Sequence, residues 1–323
     1  MRISSKWQRV IATGAASALV VLFTGCGEGS GGRRQFLSIG TAGTGGIYYP
    51  LGGAIASRLS IADPDRQYTA EVTGGSVENM NRIANGAMDL GFSMSTTVYE
   101  AFNGGAGFEQ PLSNLRIIAP LYANAVHVVV PDNSTDTSVG DFRGKRVSVG
   151  APGSGTEQLS RQLLLAYDLT YDDVNVRYLS FRESVNALRD GAIDGAIICV
   201  GYPASSVLEV TTTGVARLLP VDSEHIGIME DTYSYYAAGT IPRGTYPRMT
   251  GDVETVAVMN WVVARADLED TVVTNLLDVL RDDREDLIRV NAMAEQIDLD
   301  ALSRAPISLH DAARMWMVGG EER

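Results

Sequence analysis

Cysteine is nearly missing from this chain: Cys26 and Cys199 are the only two in 323 residues. A disulfide framework or a Cys-rich metal module is thereby excluded. Lysine is equally scarce, with Lys6 and Lys145 beside 24 arginines, and the 26 cations face 39 acids for a net charge of −13. Arg2, Lys6 and Arg9 lie in the first 25 residues with no acid among them, so the remainder is more acidic than the whole. That balance excludes nucleic acid and an anionic membrane surface as partners, because phosphate recognition needs a cationic patch. Histidine occurs three times, at His127, His225 and His310, with no metal-ligand spacing. What is present is ordinary for a folded protein: 45% hydrophobic and 20% charged residues, enough for a sizeable core. The length is about twice the roughly 150-residue prior for one domain, so two domains or two lobes are expected.

No apolar run reaches the roughly 20 residues that span a bilayer. Val10 to Phe23 is apolar over 14 residues, follows the three early cations, and runs into Thr24-Gly25-Cys26. This is the pattern of an export signal. Leu22-Phe23-Thr24-Gly25-Cys26 resembles the lipobox of bacterial lipoproteins, with Phe23 where Leu is usual. Residues 1–25 are therefore expected to be a lipoprotein signal peptide, Cys26 the lipidated residue and 26–35 a flexible, Gly-rich tether. The body would then sit outside the cytoplasmic membrane, touching it through the anchor alone. Cys199, within Ala196-Ile197-Ile198-Cys199-Val200, reads as a small buried hydrophobe.

The body repeats a pattern. Phe36 to Gly40 reads as a strand leading into Gly40-Thr41-Ala42-Gly43-Thr44-Gly45 and a helix from Ile47 to Leu59. Arg146 to Gly150 leads in the same way into Gly150-Ala151-Pro152-Gly153-Ser154-Gly155 and a helix from about Thr156 to Tyr167. Downstream, Asn85-Gly86-Ala87-Met88-Asp89 is matched by Asp190-Gly191-Ala192-Ile193-Asp194, each Asp opening an apolar strand. Two similar α/β lobes are expected, each a mostly parallel sheet flanked by helices, with the ligand cleft between them. Leu115–Leu121 and Val126–Val130 read as strands broken at Tyr122–Ala125. Val256–Ala264 reads as a late strand, followed by helices at 268–282 and 287–297. The boundaries drawn are 36–124 with 266–323 for the first lobe and 125–265 for the second.

Familiar catalytic motifs are missing. Neither glycine turn fits the dinucleotide fingerprint, no P-loop occurs, and Ser154 lacks the nucleophile elbow. No cofactor, metal or catalytic residue is expected. The glycine turns instead suggest anion sites, since helix N-termini offer unpaired N–H groups and partial positive charge. Three turns qualify: Gly43-Thr44-Gly45, Gly74-Gly75-Ser76 and Gly153-Ser154-Gly155-Thr156. None contains a cation. Removing the Thr44 or Ser154 hydroxyl should cost about 1–2 kcal/mol of binding. Gly155→Val should cost more, through bulk and a positive φ. Tyr48, Tyr122 and Tyr202 stand where loops should meet a cleft.

Gly43 to Gly53, Thr73 to Asn79, Gly150 to Glu157 and Gly239 to Tyr246 together closely resemble the TAXI branch of solute receptors of tripartite ATP-independent periplasmic (TRAP) transporters. The resemblance runs from about residue 36 to the end. It implies a two-lobed periplasmic-binding-protein fold, type II-like. A monomeric receptor would capture a small carboxylate, a glutamate-like amino acid or a dicarboxylate, and pass it to an integral membrane carrier driven by an ion gradient. Thr44, Gly45, Tyr48, Ser76 and the Ser154-Gly155-Thr156 turn carry over as ligand-binding candidates, beside Gly43 and Gly75 of the same turns. The chain departs from the family pattern at Met94-Ser95 and at Gly201-Tyr202-Pro203, both expected to line the cleft. An exported enzyme on the same fold and a receptor for a signalling protein remain the alternatives.

Overall fold

The computed structural model describes residues 34–320, apart from 106 and 234; Cys26, the expected signal peptide and most of the expected tether lie outside the described residues. The first half begins β1 (Gln35–Gly40), α1 (Tyr48–Ala62), β2 (Arg66–Glu71), α2 (Ser76–Ala84), β3 (Leu90–Met94) and α3 (Ser95–Asn103). A long strand, β4 (Leu115–Pro131), leads out of it. Then come β5 (Arg146–Ser148), α4 (Gly155–Ala166), β6 (Asn175–Arg177), α5 (Phe181–Arg189), β7 (Gly195–Val200), α6 (Ser205–Thr212), β8 (Ala216–Leu219), α7 (Ser223–Thr232) and β9 (Tyr236–Ile241). A second long strand, β10 (Val253–Arg265), returns, and α8 (Asp270–Asp282), α9 (Arg284–Val290) and α10 (Asp311–Gly320) finish the chain.

The strands follow the order β2-β1-β3-β10-β4-β7-β5-β6, with β9 against β10 and β8 against β4. Within that order the repeat is plain. β1 lies parallel between β2 and β3, and β5 lies parallel between β6 and β7. Each third strand then pairs antiparallel with a long one, β3 with β10 and β7 with β4. The repeated Asp has one job in both halves. Asp89 accepts from the Ser38 N–H at 2.7 Å and Asp194 from the Arg146 N–H at 2.8 Å, tying the third strand of each half to its first.

The long strands cross from one half to the other. β10 pairs β9 through Val253–Val258 and β3 through Asn260–Ala264, and β4 runs beside it. Tyr122–Ala125 is therefore no break but the middle of β4, facing a register shift between Met259 and Trp261 of β10. Asn124 and Asn260, polar residues that look out of place in a strand, meet there, with Asn124 Nδ2 donating to Asn260 Oδ1 at 3.2 Å. The expected helix 287–297 is split: α9 stops at Val290 and a 3-10 turn covers Ala292–Gln296. α8 forms as its apolar spacing requires, burying Val272, Val273, Leu276, Leu277, Val279 and Leu280. Such burial stabilises by about 1.5–3 kcal/mol per large aliphatic side chain.

Candidate functional site

In each half the loops after the first and second strands lead into helix N-termini, those of α1, α2, α4 and α5, and these loops surround a cavity of about 390 Å³. The cavity brings together Gly43, Thr44, Gly45, Tyr48, Gly75, Ser76, Met94, Tyr122, Ser154, Gly155 and Thr156. Ser95 and Tyr202 are not in its lining. Ser95 Oγ accepts from the Trp261 indole at 2.7 Å and donates to the Met259 carbonyl, and the Tyr202 hydroxyl donates to the Thr240 carbonyl.

The halves are in direct contact. The Glu78 N–H, in the first turn of α2, donates to the Gly153 carbonyl at 3.0 Å. A Cβ on Gly74 would stand 2.5 Å from the Pro152 carbonyl oxygen, closer than Cβ atoms come to any neighbour. Ser205 Oγ donates to the Gly45 carbonyl at 3.3 Å, and Thr97 of α3 donates to Gln158 of α4 at 2.7 Å. Glu100 accepts from Gln158 and Gln162 across the same gap, while burial raises its carboxyl above the usual range.

Two expectations change here. The Ser154 hydroxyl proton is spent: it donates to the Ala151 carbonyl at 2.7 Å, while the oxygen accepts from the Glu157 N–H at 3.1 Å as the cap of α4. The group has no proton left for a ligand. Gly155 does not have a positive φ; its smallness matters because an added Cβ would fall 2.9 Å from Ser76 Oγ and against the Met94 methyl.

Other lining residues were not singled out from the sequence. Ser180, Phe181, Arg182 and Glu183 belong to a fourth helix N-terminus, that of α5, which stands in the second half where α2 stands in the first. Its signature was there to read, because Ser180-x-x-Glu183 is a capping box and both of its hydrogen bonds form. Arg182 is exposed and, among the described residues, makes no ion pair; it supplies the cation the glycine turns lack. Asn124 and Cys199 complete the inner wall.

That wall is buried and uncharged. The Tyr48 hydroxyl donates to Asn260 Oδ1, its ring meets Phe92 edge-on at 5.4 Å, and burial pushes its pKa up. Burial likewise pushes the Cys199 thiol up to about 12, so it stays protonated and unreactive at neutral pH. Among the described residues no three His, Cys, Asp or Glu side chains form a group that could hold a metal ion.

The model of the NMT1-like family matches residues 39–316. The chain belongs to that family. Among solved structures, MatC from Rhodopseudomonas palustris with bound malate superposes with a TM-score of 0.59 at 12% identity, over 89% of this chain and 98% of that one. The periplasmic binding protein BugD does so with a TM-score of 0.55 at 10% identity, again over 89% and 98%. This NMT1-like chain thus has the two-domain fold of periplasmic solute-binding proteins, and its cavity lies where the crossing strands join the halves.

Proposed function

We propose that the chain is an extracytoplasmic receptor of the TAXI type. It captures a small carboxylate between two lobes, residues 36–124 with 266–323 and residues 125–265, and hands it to a TRAP-type membrane carrier. The observation that carries this reading is the convergence of four helix N-termini on one cavity. A carboxylate gains about 0.3–1 kcal/mol at one exposed helix N-terminus and up to about 2 when partly buried. Arg182 at the rim adds a charge to steer the anion in. The relative solved with malate is consistent with a carboxylate ligand. A receptor is favoured over an enzyme because the cavity lining contains no histidine, and its cysteine is held protonated.

Mass spectrometry of the small molecule released on denaturing the purified protein tests the ligand class. A small carboxylate is expected, and a ligand without an acid group would overturn the reading. The proposed anchor has its own test: Cys26→Ser should move the protein from the membrane to the soluble exported fraction, and continued membrane retention would contradict it.

A further inference from the structure

Charge around the cavity is confined to its mouth. Among the described residues the charged members of the lining are Arg182 and Glu183, both exposed at the start of α5. Glu183 is occupied, since the Ser180 N–H and hydroxyl both donate to one of its oxygens. Arg182 makes no ion pair among the described residues. Its backbone is packed on the first half. A Cβ on Gly45 would stand 3.4 Å from the Arg182 nitrogen and 3.4 Å from the Phe181 Cβ, and one on Gly46 would stand 3.3 Å from the Phe181 ring. The second half thus holds the lining's cation beside the turn that opens α1, a helix end with no side-chain cap.

The inner end is different. Ile47, Met94, Cys199 and Val200 belong to the lining there, and all four are buried. The polar groups beside them are engaged elsewhere or sealed off. The Cys199 thiol donates to Met94 Sδ at 3.5 Å, and the Tyr48 hydroxyl donates to Asn260. The Tyr122 hydroxyl and Asn124 Oδ1 each expose less than 1 Å², so neither oxygen is within a ligand's reach. A second carboxylate carried inward would lose its water and meet no cation, and an ammonium would meet no anion. An apolar body placed there gains by leaving water. We infer that the ligand is a monocarboxylate with an uncharged, mainly apolar body, bound with its acid outward against Arg182 and the Gly43–Gly46 turn and its body inward against Met94, Cys199 and Val200. Arg182 is then the residue that selects for the acid. The inference rests on the reading of the cavity as a carboxylate receptor and narrows it.

The test uses the full chain, freed of retained ligand by denaturation and refolding, and calorimetry at neutral pH on matched probes. Succinate replaces the isopropyl end of 4-methylpentanoate by a carboxylate, L-leucine adds an ammonium, and 4-methylpentanamide removes the acid; 5-methylhexanoate and glutarate repeat the first pair one carbon longer. In each pair the branched monocarboxylate should be about tenfold tighter or more than the dicarboxylate, and 4-methylpentanoate should exceed L-leucine and the amide by as much. Arg182→Gln should weaken the acids about tenfold and the amide little, with the melting temperature of the ligand-free protein unchanged. A merely structural arginine would shift the melt and weaken acid and amide alike. If a dicarboxylate or L-leucine binds as tightly or tighter, or Arg182→Gln keeps the parent's preference for acid over amide, the inference is overturned and the carboxylate receptor stands. If no probe binds, the retained ligand decides: one acid group and no other charge supports the inference, a second carboxylate or an amine overturns it, and the absence of any acid group ends both readings together.

Discussion

The two halves share one plan, with the same strand order, a glycine turn after the first strand and an Asp clasp before the third, yet they finish their helix ends differently. In the first half, α1 and α2 begin at Ile47 and Gly75 with no side-chain cap. In the second half, α4 and α5 begin at Ser154 and Ser180, whose hydroxyls cap them, with Glu183 completing the box on α5. An uncapped end leaves its N–H groups for another acceptor; a capped one has spent part of them. In the proposed receptor the uncapped ends of the first half would hold the anion, apart from the Glu78 N–H that already donates to the Gly153 carbonyl, and the second half would cover them with Arg182. Duplicated architecture does not imply duplicated chemistry.

The sharpest way to break this arrangement is to keep the halves from meeting. Gly74→Val puts a branched side chain where the Pro152 carbonyl lies, while leaving each half's own core untouched. Binding measured by calorimetry should fall by a hundredfold or more, on the order of 3 kcal/mol, the upper range for overpacking. Gly53, in α1 outside the cavity lining, where an added Cβ meets nothing within 4 Å, is the control and should accept Ala with little loss of binding.

Acid should weaken the second half in particular. His127 in β4 donates through Nδ1 to the Ala125 carbonyl at 3.0 Å and accepts at Nε2 from Tyr246, whose oxygen also takes the Ala204 N–H at the start of α6. Burial lowers its pKa to about 4, against the ordinary value of 6.5. Between those values the unfolded chain binds more protons, so this contribution is complete above pH 6.5 and lost as the pH falls toward 4. The loss should be roughly 2–3 kcal/mol. Denaturant titrations of the parent and of His127→Gln across pH 4–7 check it; the variant should lack this component, and equal pH dependence in both would refute the assignment.

Smaller effects sharpen the contrast between capped and uncapped ends. Ser154→Ala removes the cap of α4 and should cost about 1 kcal/mol of folding stability while changing ligand affinity little. Thr44 is exposed at the rim of the uncapped half and its hydroxyl has no hydrogen-bond partner among the described residues, so Thr44→Val should leave stability within about 0.5 kcal/mol. Any loss it shows should appear in binding instead. Thermal melts with and without ligand separate the two; the opposite pattern would reverse the roles assigned to the halves.

Much of this was legible in the sequence, and the reasons differ by region. The repeat could be read because glycine turns and helix-ending Gly-Ala-x-Asp segments impose the same backbone demands wherever they occur. The cavity lining on those turns followed from the same logic. The inner wall did not. Tyr122-Ala123-Asn124-Ala125 looks like a break because a polar residue interrupts an apolar run, and only pairing with Asn260 on a distant strand makes it a place for a strand to cross. Cys199 was read as a small buried residue, and it is buried, but its place on the cavity wall depends on β7 lying beside β4. Ser95 and Tyr202 lie outside the cavity lining, since sequence adjacency to the cleft does not say which way a side chain turns. The α5 terminus was missed although the duplication itself called for a fourth helix end.

Closure of the two halves over a bound ligand is the central claim, and small-angle scattering measures it most directly. The parent, stripped of ligand and then saturated with the carboxylate recovered from it, should show a smaller radius of gyration on binding, and Gly74→Val should show none. A parent that binds by calorimetry with no change in radius, or a Gly74→Val protein that contracts and binds like the parent, would contradict the account.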